Sequence, residues 1–109
     1  MASDINFVEF IVEQISKAGN IRYKKMFGEY AVYCNEKVIA LICNNQLFVK
    51  PTEAGKVFIG NIKEAAPYPG AKMYFLIEAQ LENKEWMTSL IKITADELPV
   101  PKVKKKKIN

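Results

Sequence analysis

The chain has 109 residues, half of them hydrophobic and 11% aromatic, with sixteen Lys and Arg, twelve Asp and Glu, no histidine and two cysteines. That is apolar mass enough for one domain with a core, which excludes global disorder, and too few cysteines for a disulfide scaffold. No apolar run reaches the ~18 residues of a membrane span, and no secretory leader opens the chain, so a soluble cytoplasmic protein is expected.

Residues from about 4 to 18 read as a helix. Ser3 or Asp4 supplies a capping oxygen, Phe7, Val8, Ile11, Ile15 and Ala18 recur at helical spacing, and Gly19-Asn20 ends the run. The pattern then turns strand-like, with β-branched and aromatic residues over 21–27, 29–34, 37–43 and 46–50. Gly28 marks a bend or bulge between the first two. Asn35-Glu36 and Asn44-Asn45 read as two-residue hairpin turns, although Glu is unusual at the second position. Thr52 caps a short helix to Ile59. The stretch 60–72 contains Gly60, Pro67, Pro69 and Gly70 and reads as loop. Met73 to Glu78 is a further strand. Asn83 opens a last helix to Glu97, with Trp86, Leu90, Ile91 and Ile93 toward the core, and Pro99 and Pro101 stop it. Residues 1–98 form the domain and 99–109 a disordered lysine-rich tail. Lys102, Lys104, Lys105, Lys106 and Lys107 account for the basic balance: without them eleven basic face twelve acidic side chains, a net −1 against +4 for the whole chain. The basic pI belongs to the tail.

Two-residue turns fix strand register. They set Val32 opposite Ile39, Tyr30 opposite Leu41 and Leu41 opposite Phe48. One face then carries Tyr30, Val32, Ile39, Leu41 and Phe48, and the other Ala31, Tyr33, Val38, Ala40, Ile42, Leu47 and Val49. Both are apolar, and Ala31 beside Ala40 would let a helix sit close. Either three helices wrap both faces or part of one meets another subunit; the second, a homodimer, is the expectation. Cys34 and Cys43 fall near opposite ends of one strand, roughly 20 Å apart, too far for a disulfide.

The absence of histidine removes Ser-His-Asp and Cys-His pairs and histidine zinc sites. Two separated cysteines close no zinc site, and no glycine-rich phosphate loop is present. The carboxylate pairs Glu9-Glu13 and Glu82-Glu85 read as solvated helix faces. No enzyme and no cofactor is expected.

The stretch Lys24-Lys25-Met26-Phe27-Gly28-Glu29-Tyr30 resembles the signature of the N-terminal domain of the TfoX/Sxy family, regulators of natural competence. Tyr33, the strand Val38-Ile39-Ala40-Leu41-Ile42, then Leu47-Phe48-Val49-Lys50, Pro67-Tyr68 and Met73-Tyr74-Phe75 continue the similarity over residues 3–98. The resemblance implies a two-layer α+β fold, a central antiparallel sheet of about four to six strands with N-terminal, middle and C-terminal helices, of the kind seen in secretion chaperones. It also implies a regulatory role. Full-length relatives carry a second, helical domain and act as co-activators alongside the cyclic-AMP receptor protein. Here the chain ends after the first domain, so a stand-alone form is expected. Glu29 stands where the family often has a second glycine.

The expected protein-partner surface is Arg22, Lys24, Lys25, Met26, Phe27, Gly28 and Tyr30, with Lys50 near it; the partner would be transcription machinery or a regulator. The plainer reading of the lysines is a solvated edge strand, and of Met26, Phe27 and Tyr30 core and turn packing. Trp86 is a core anchor or an interface aromatic. The alternative function is weak, non-specific nucleic-acid association through strand 22–25 and the tail lysines. A third, small-molecule sensing, needs a pocket lined by Tyr30, Tyr33 or Tyr68.

Overall fold

The structure, a computed structural model, describes residues 3–26 and 28–99. The tail lysines and Phe27 lie outside the described residues. The first helix, α1 (Ile5–Gln14), begins where the Asp4 carboxylate accepts the Asn6 amide at 2.9 Å, taking one of the donors a helix start leaves free. Val8, Ile11 and Ile15 are its buried stripe. The helix ends sooner than its apolar spacing suggests. Ile15 shares its amide between the Ile11 and Val12 carbonyls, and a 3-10 turn, Ser16–Ala18, completes the run.

Four strands follow as antiparallel hairpins: β1 (Ile21–Met26), β2 (Glu29–Cys34), β3 (Lys37–Cys43) and β4 (Gln46–Val49). Both two-residue turns have the positive φ they need, 53° and 69° at Asn35 and Glu36 and 53° and 57° at Asn44 and Asn45. Gly28, with φ 83°, belongs to the connection that sets Met26 opposite Glu29. After α2 (Glu53–Ile59) the chain adds β5 (Glu64–Ala65), β6 (Tyr74–Ile77) and α3 (Lys84–Glu97). The sheet order is β1-β2-β3-β4-β6-β5, antiparallel throughout. The fold is α+β in two layers.

One irregularity decides which side chains face which way. Between Val32 and Tyr33 the β2–β3 register shifts by one residue. Tyr33 and Cys34 pair with Val38 and Lys37 as the turn dictates, but Val32 pairs with Ala40, Ala31 with Leu41 and Tyr30 with Ile42. The expected pairs Val32–Ile39 and Tyr30–Leu41 are therefore corrected, whereas Leu41 does pair with Phe48. The extra residue, a bulge at Ile39, puts Ile39 and Ala40 into the same core cluster and leaves Val38 and Leu41 on the opposite side. Tyr30, Val32, Ile39, Ala40, Ile42, Leu47 and Val49 face the helices. Ala31 and Ala40 do not share a face.

All three helices lie on that one side. The cluster that contains Ile42 and Val49 also holds Val8, Ile11, Met87, Leu90 and Ile91, with Phe58 and Ile59 packed against it. The Gln14 side-chain amide donates to the Leu81 carbonyl at 2.9 Å and the Thr88 hydroxyl to the Gln14 carbonyl at 3.1 Å, joining α1 to α3. Glu97 accepts the Glu53 and Ala54 amides, both at 2.9 Å, and so joins α3 to the start of α2; these bonds hold its carboxyl below the usual range. On α3 the buried stripe is Met87, Leu90, Ile91, Thr94 and Ala95. Ile93 is off that stripe and half-buried, and Thr94 is tolerated inside because its hydroxyl donates to the Leu90 carbonyl at 2.8 Å. Trp86 is half-buried, its ring 5.4 Å from that of Phe58. No helix among the described residues is long and apolar enough to cross a membrane.

Candidate functional site

With its helices on one side, the sheet presents its other face outward. Alternation along the strands places Arg22, Lys24 and Met26 of β1, Glu29, Ala31 and Tyr33 of β2, and Val38, Leu41 and Cys43 of β3 on that face. Phe48 and Leu76 continue it across β4 and β6. A second, smaller apolar cluster forms there from Cys43, Phe48 and Leu76, with Leu41, Ala65 and Tyr74 against it.

A cavity of about 610 Å³ opens on this face. Val38, Leu41 and Cys43 form its floor along β3, Met26, Glu29 and Tyr30 one side, and Lys50, Tyr68 and Tyr74 the other. The Ile39 bulge is the reason Val38 and Leu41 both reach it. Tyr30 packs mainly toward the helices, edge-on to Tyr23 with centroids 5.8 Å apart, and borders the cavity. Of the three tyrosines expected to line a pocket, Tyr30 and Tyr68 do; Tyr33 does not, because it lies beneath the Arg22 guanidinium, 5.0 Å from its ring centroid. Tyr74 takes its place. Its position next to buried Phe75 on an alternating strand was a readable signal for it.

Glu29 closes one end of the cavity and is tied down. Its Oε1 accepts the Ser3 amide and hydroxyl at 3.0 and 2.7 Å, and its Oε2 accepts the Asn44 amide at 3.1 Å. The Ser3 hydroxyl in turn accepts the Asn45 amide at 3.0 Å, and Asn45 Oδ1 accepts the Asp4 amide at 2.7 Å. A carboxylate at this position thus staples the start of the chain to the β3–β4 turn. Cys43 lies above Glu29 on the neighbouring strand; burial, helped by the Glu29 charge, pushes its thiol up to about 11. Cys34 faces the helices, also free and also raised, chiefly by burial. The two cysteines are on opposite faces of the sheet and unbonded.

The basic cluster expected around the motif is divided. Arg22 and Lys24 share a face and Lys25 opposes them. Arg22 makes two bonds to Glu36, of 3.2 and 2.7 Å. Arg22–Glu36 and Lys63–Glu78 are the two ion pairs among the described residues, so Lys24, Lys25 and Lys50 take part in neither. Lys50 does not adjoin β1: β2 and β3 lie between, and it meets Met26 only across the cavity. Residues 22–26 are exposed along an edge strand that, among the described residues, pairs only with β2.

Two comparisons with known proteins bear on this arrangement. The family model of the TfoX N-terminal domain matches residues 13–98. A Spirochaeta aurantia protein, the uncharacterized 12.7 kDa protein in the trpE 5' region, is 40% identical over 107 residues, spanning 98% of this chain and 93% of its own length.

Proposed function

From the fact that this chain belongs to the TfoX N-terminal domain family, we propose that it is a regulatory domain that binds another protein and performs no chemistry itself. The observation that carries the reading is the edge strand β1. Five consecutive residues, Arg22 to Met26, are exposed, and among the described residues no strand lies beside its outer backbone edge. Such an edge takes up an extended segment of a partner through main-chain hydrogen bonds, with side chains supplying selectivity. Lys24 and Lys25 carry no ion pair among the described residues and select for acidic residues, while Tyr23 and Met26 add apolar contact at either end. The family's competence regulators direct the search for a partner toward transcription factors and RNA polymerase in the cytoplasm.

The test is recovery of partners from the native cell with the wild type and with a Lys24→Glu/Lys25→Glu double variant. Arg22 is left alone, since removing it also frees Glu36. Both lysines are exposed, so circular dichroism should match between the two proteins. The wild type should recover a transcription protein that the variant loses at least tenfold. Equal recovery by both would reject β1 as the surface. The same exposed lysines favour a second reading, loose association with nucleic acid; recovery abolished by nuclease would support it instead.

A further inference from the structure

The cavity on the outward sheet face touches the edge strand at Met26 alone, and its chemistry is specific. Its walls are apolar and aromatic, and its volume of about 610 Å³ falls within the roughly 300–1,000 Å³ usual for small-molecule sites. Two charged residues border it, and they differ in kind. Glu29 has its carboxylate occupied by Ser3 and Asn44. Lys50 is partly buried, follows the end of β4 with its backbone amide on the Ile39 carbonyl, and has no carboxylate paired with it among the described residues. The two sit at opposite ends of the groove: Glu29 beside the β3–β4 turn and Lys50 beside Val38, some five residues away along β3.

We propose that this groove binds a small amphipathic anion, its apolar body lying along Leu41 and Tyr74 and its one acidic group against Lys50. The polarity follows from the two ends. An anion at the Glu29 end would meet a carboxylate already satisfied by hydrogen bonds, while at the Lys50 end it meets a lysine with no carboxylate paired to it among the described residues. Because the Ile39 bulge takes up one residue of β3, the span between them is four steps on β2, Tyr33 to Glu29, or about 13 Å at ~3.3 Å per residue, room for a fused aromatic pair or a medium alkyl chain. The neutral thiol of Cys43 keeps the floor apolar.

A second copy of the chain is the competing occupant of this face. The large side chains at its centre argue against a flat protein surface there. Phe48 is 3% and Leu76 8% exposed in the single chain, so a partner lying across the face would cover little apolar area that is not already covered. What remains accessible is the furrow, with Tyr68 on its rim at 56% exposure. The other cavity of similar size, about 500 Å³ beside β6, has Lys63 and Glu78 on its rim already paired with each other, and so offers no free charge to a ligand.

The test uses two dyes that differ by one charge: anilinonaphthalene sulfonate and its uncharged counterpart N-phenylnaphthylamine. The full chain should bind one equivalent of the sulfonate with fluorescence enhancement, at least tenfold tighter than the neutral dye. Lys50→Met should remove that preference and Lys50→Arg should keep it. Tyr68→Ala, at an exposed rim position, should weaken both dyes alike. Thermal melts of each variant confirm that folded protein is compared. If Lys50→Met fails to fold, amide NMR of the wild type decides: shifts on sulfonate addition should fall on Leu41, Cys43, Lys50 and Tyr74. No saturable binding, an unchanged preference in folded Lys50→Met, shifts confined to the helices, or a dimer that competes with the dye would each overturn the proposal.

Discussion

Burial with an acid as its near neighbour keeps Cys43 a thiol. Its folded value, about 11, stands above the ordinary 9. The folded protein therefore holds this proton more tightly than the unfolded chain. The contribution is complete below pH 9 and is lost as pH rises through about 11. Alkaline melts should show a steeper fall in that window for the wild type than for Cys43→Ala. At neutral pH, native protein should react with a thiol reagent many times more slowly than the unfolded chain, because both thiols are buried and held protonated; equal rates would contradict this. Other single residues carry local jobs that their type made readable. Asn35, Asn44 and Asn45 accept left-handed backbone, as their place in short turns implies. Glu29 was not readable in this way. Its role depends on Ser3 and Asn44, which the fold brings to it from 26 and 15 residues away.

Among the elements, α2 shows how little room a short helix has. Thr52 Oγ1 accepts the Gly55 amide at 2.9 Å, and a Cβ on Gly55 would stand 2.6 Å from that same oxygen. Gly55→Ala must therefore turn the threonine away and lose the cap, at a cost of about 1 kcal/mol, which cancels the ~1 kcal/mol that alanine gains over glycine inside a helix, so the melting temperature should stay nearly unchanged. Thr52→Ala alone should cost about 1 kcal/mol, roughly 5 °C in a domain of this size, and adding Gly55→Ala to it should restore much of that, because the oxygen in its way is gone; a further loss in thermal melts would reject this account. The elements themselves were legible where a cap, a turn pair or a sustained period announced them: α2, α3 and the hairpins β1 to β4. β5 was not, because two residues carry no period and exist as a strand only by pairing with β6. Nor was the bulge at Ile39. In an all-apolar strand no polar residue betrays which side a position faces, so Val38-Ile39-Ala40-Leu41-Ile42 accepts either phase. The cavity is half legible for the same reason: Tyr30 and Tyr68 are readable as lining residues, Tyr33 misleads, and the floor depends on that shift.

At the scale of the molecule, charge and structure divide the chain differently. The four consecutive lysines 104–107 supply the net positive charge, and the remainder is close to neutral. A version ending at Leu98 should keep the melting temperature of the full chain and lose whatever low-salt affinity the full chain has for duplex DNA. DNA affinity retained after truncation would instead assign it to Lys24 and Lys25 on β1. The staple between Ser3, Glu29 and the Asn44-Asn45 turn reaches across 42 residues. During synthesis on the ribosome, the opening residues lack their full set of anchors until the β3–β4 hairpin has emerged, although Glu29 is available before it. Assembly of this domain should then run from the middle outward, with the amino terminus among the last pieces to lock and the first to be released under load.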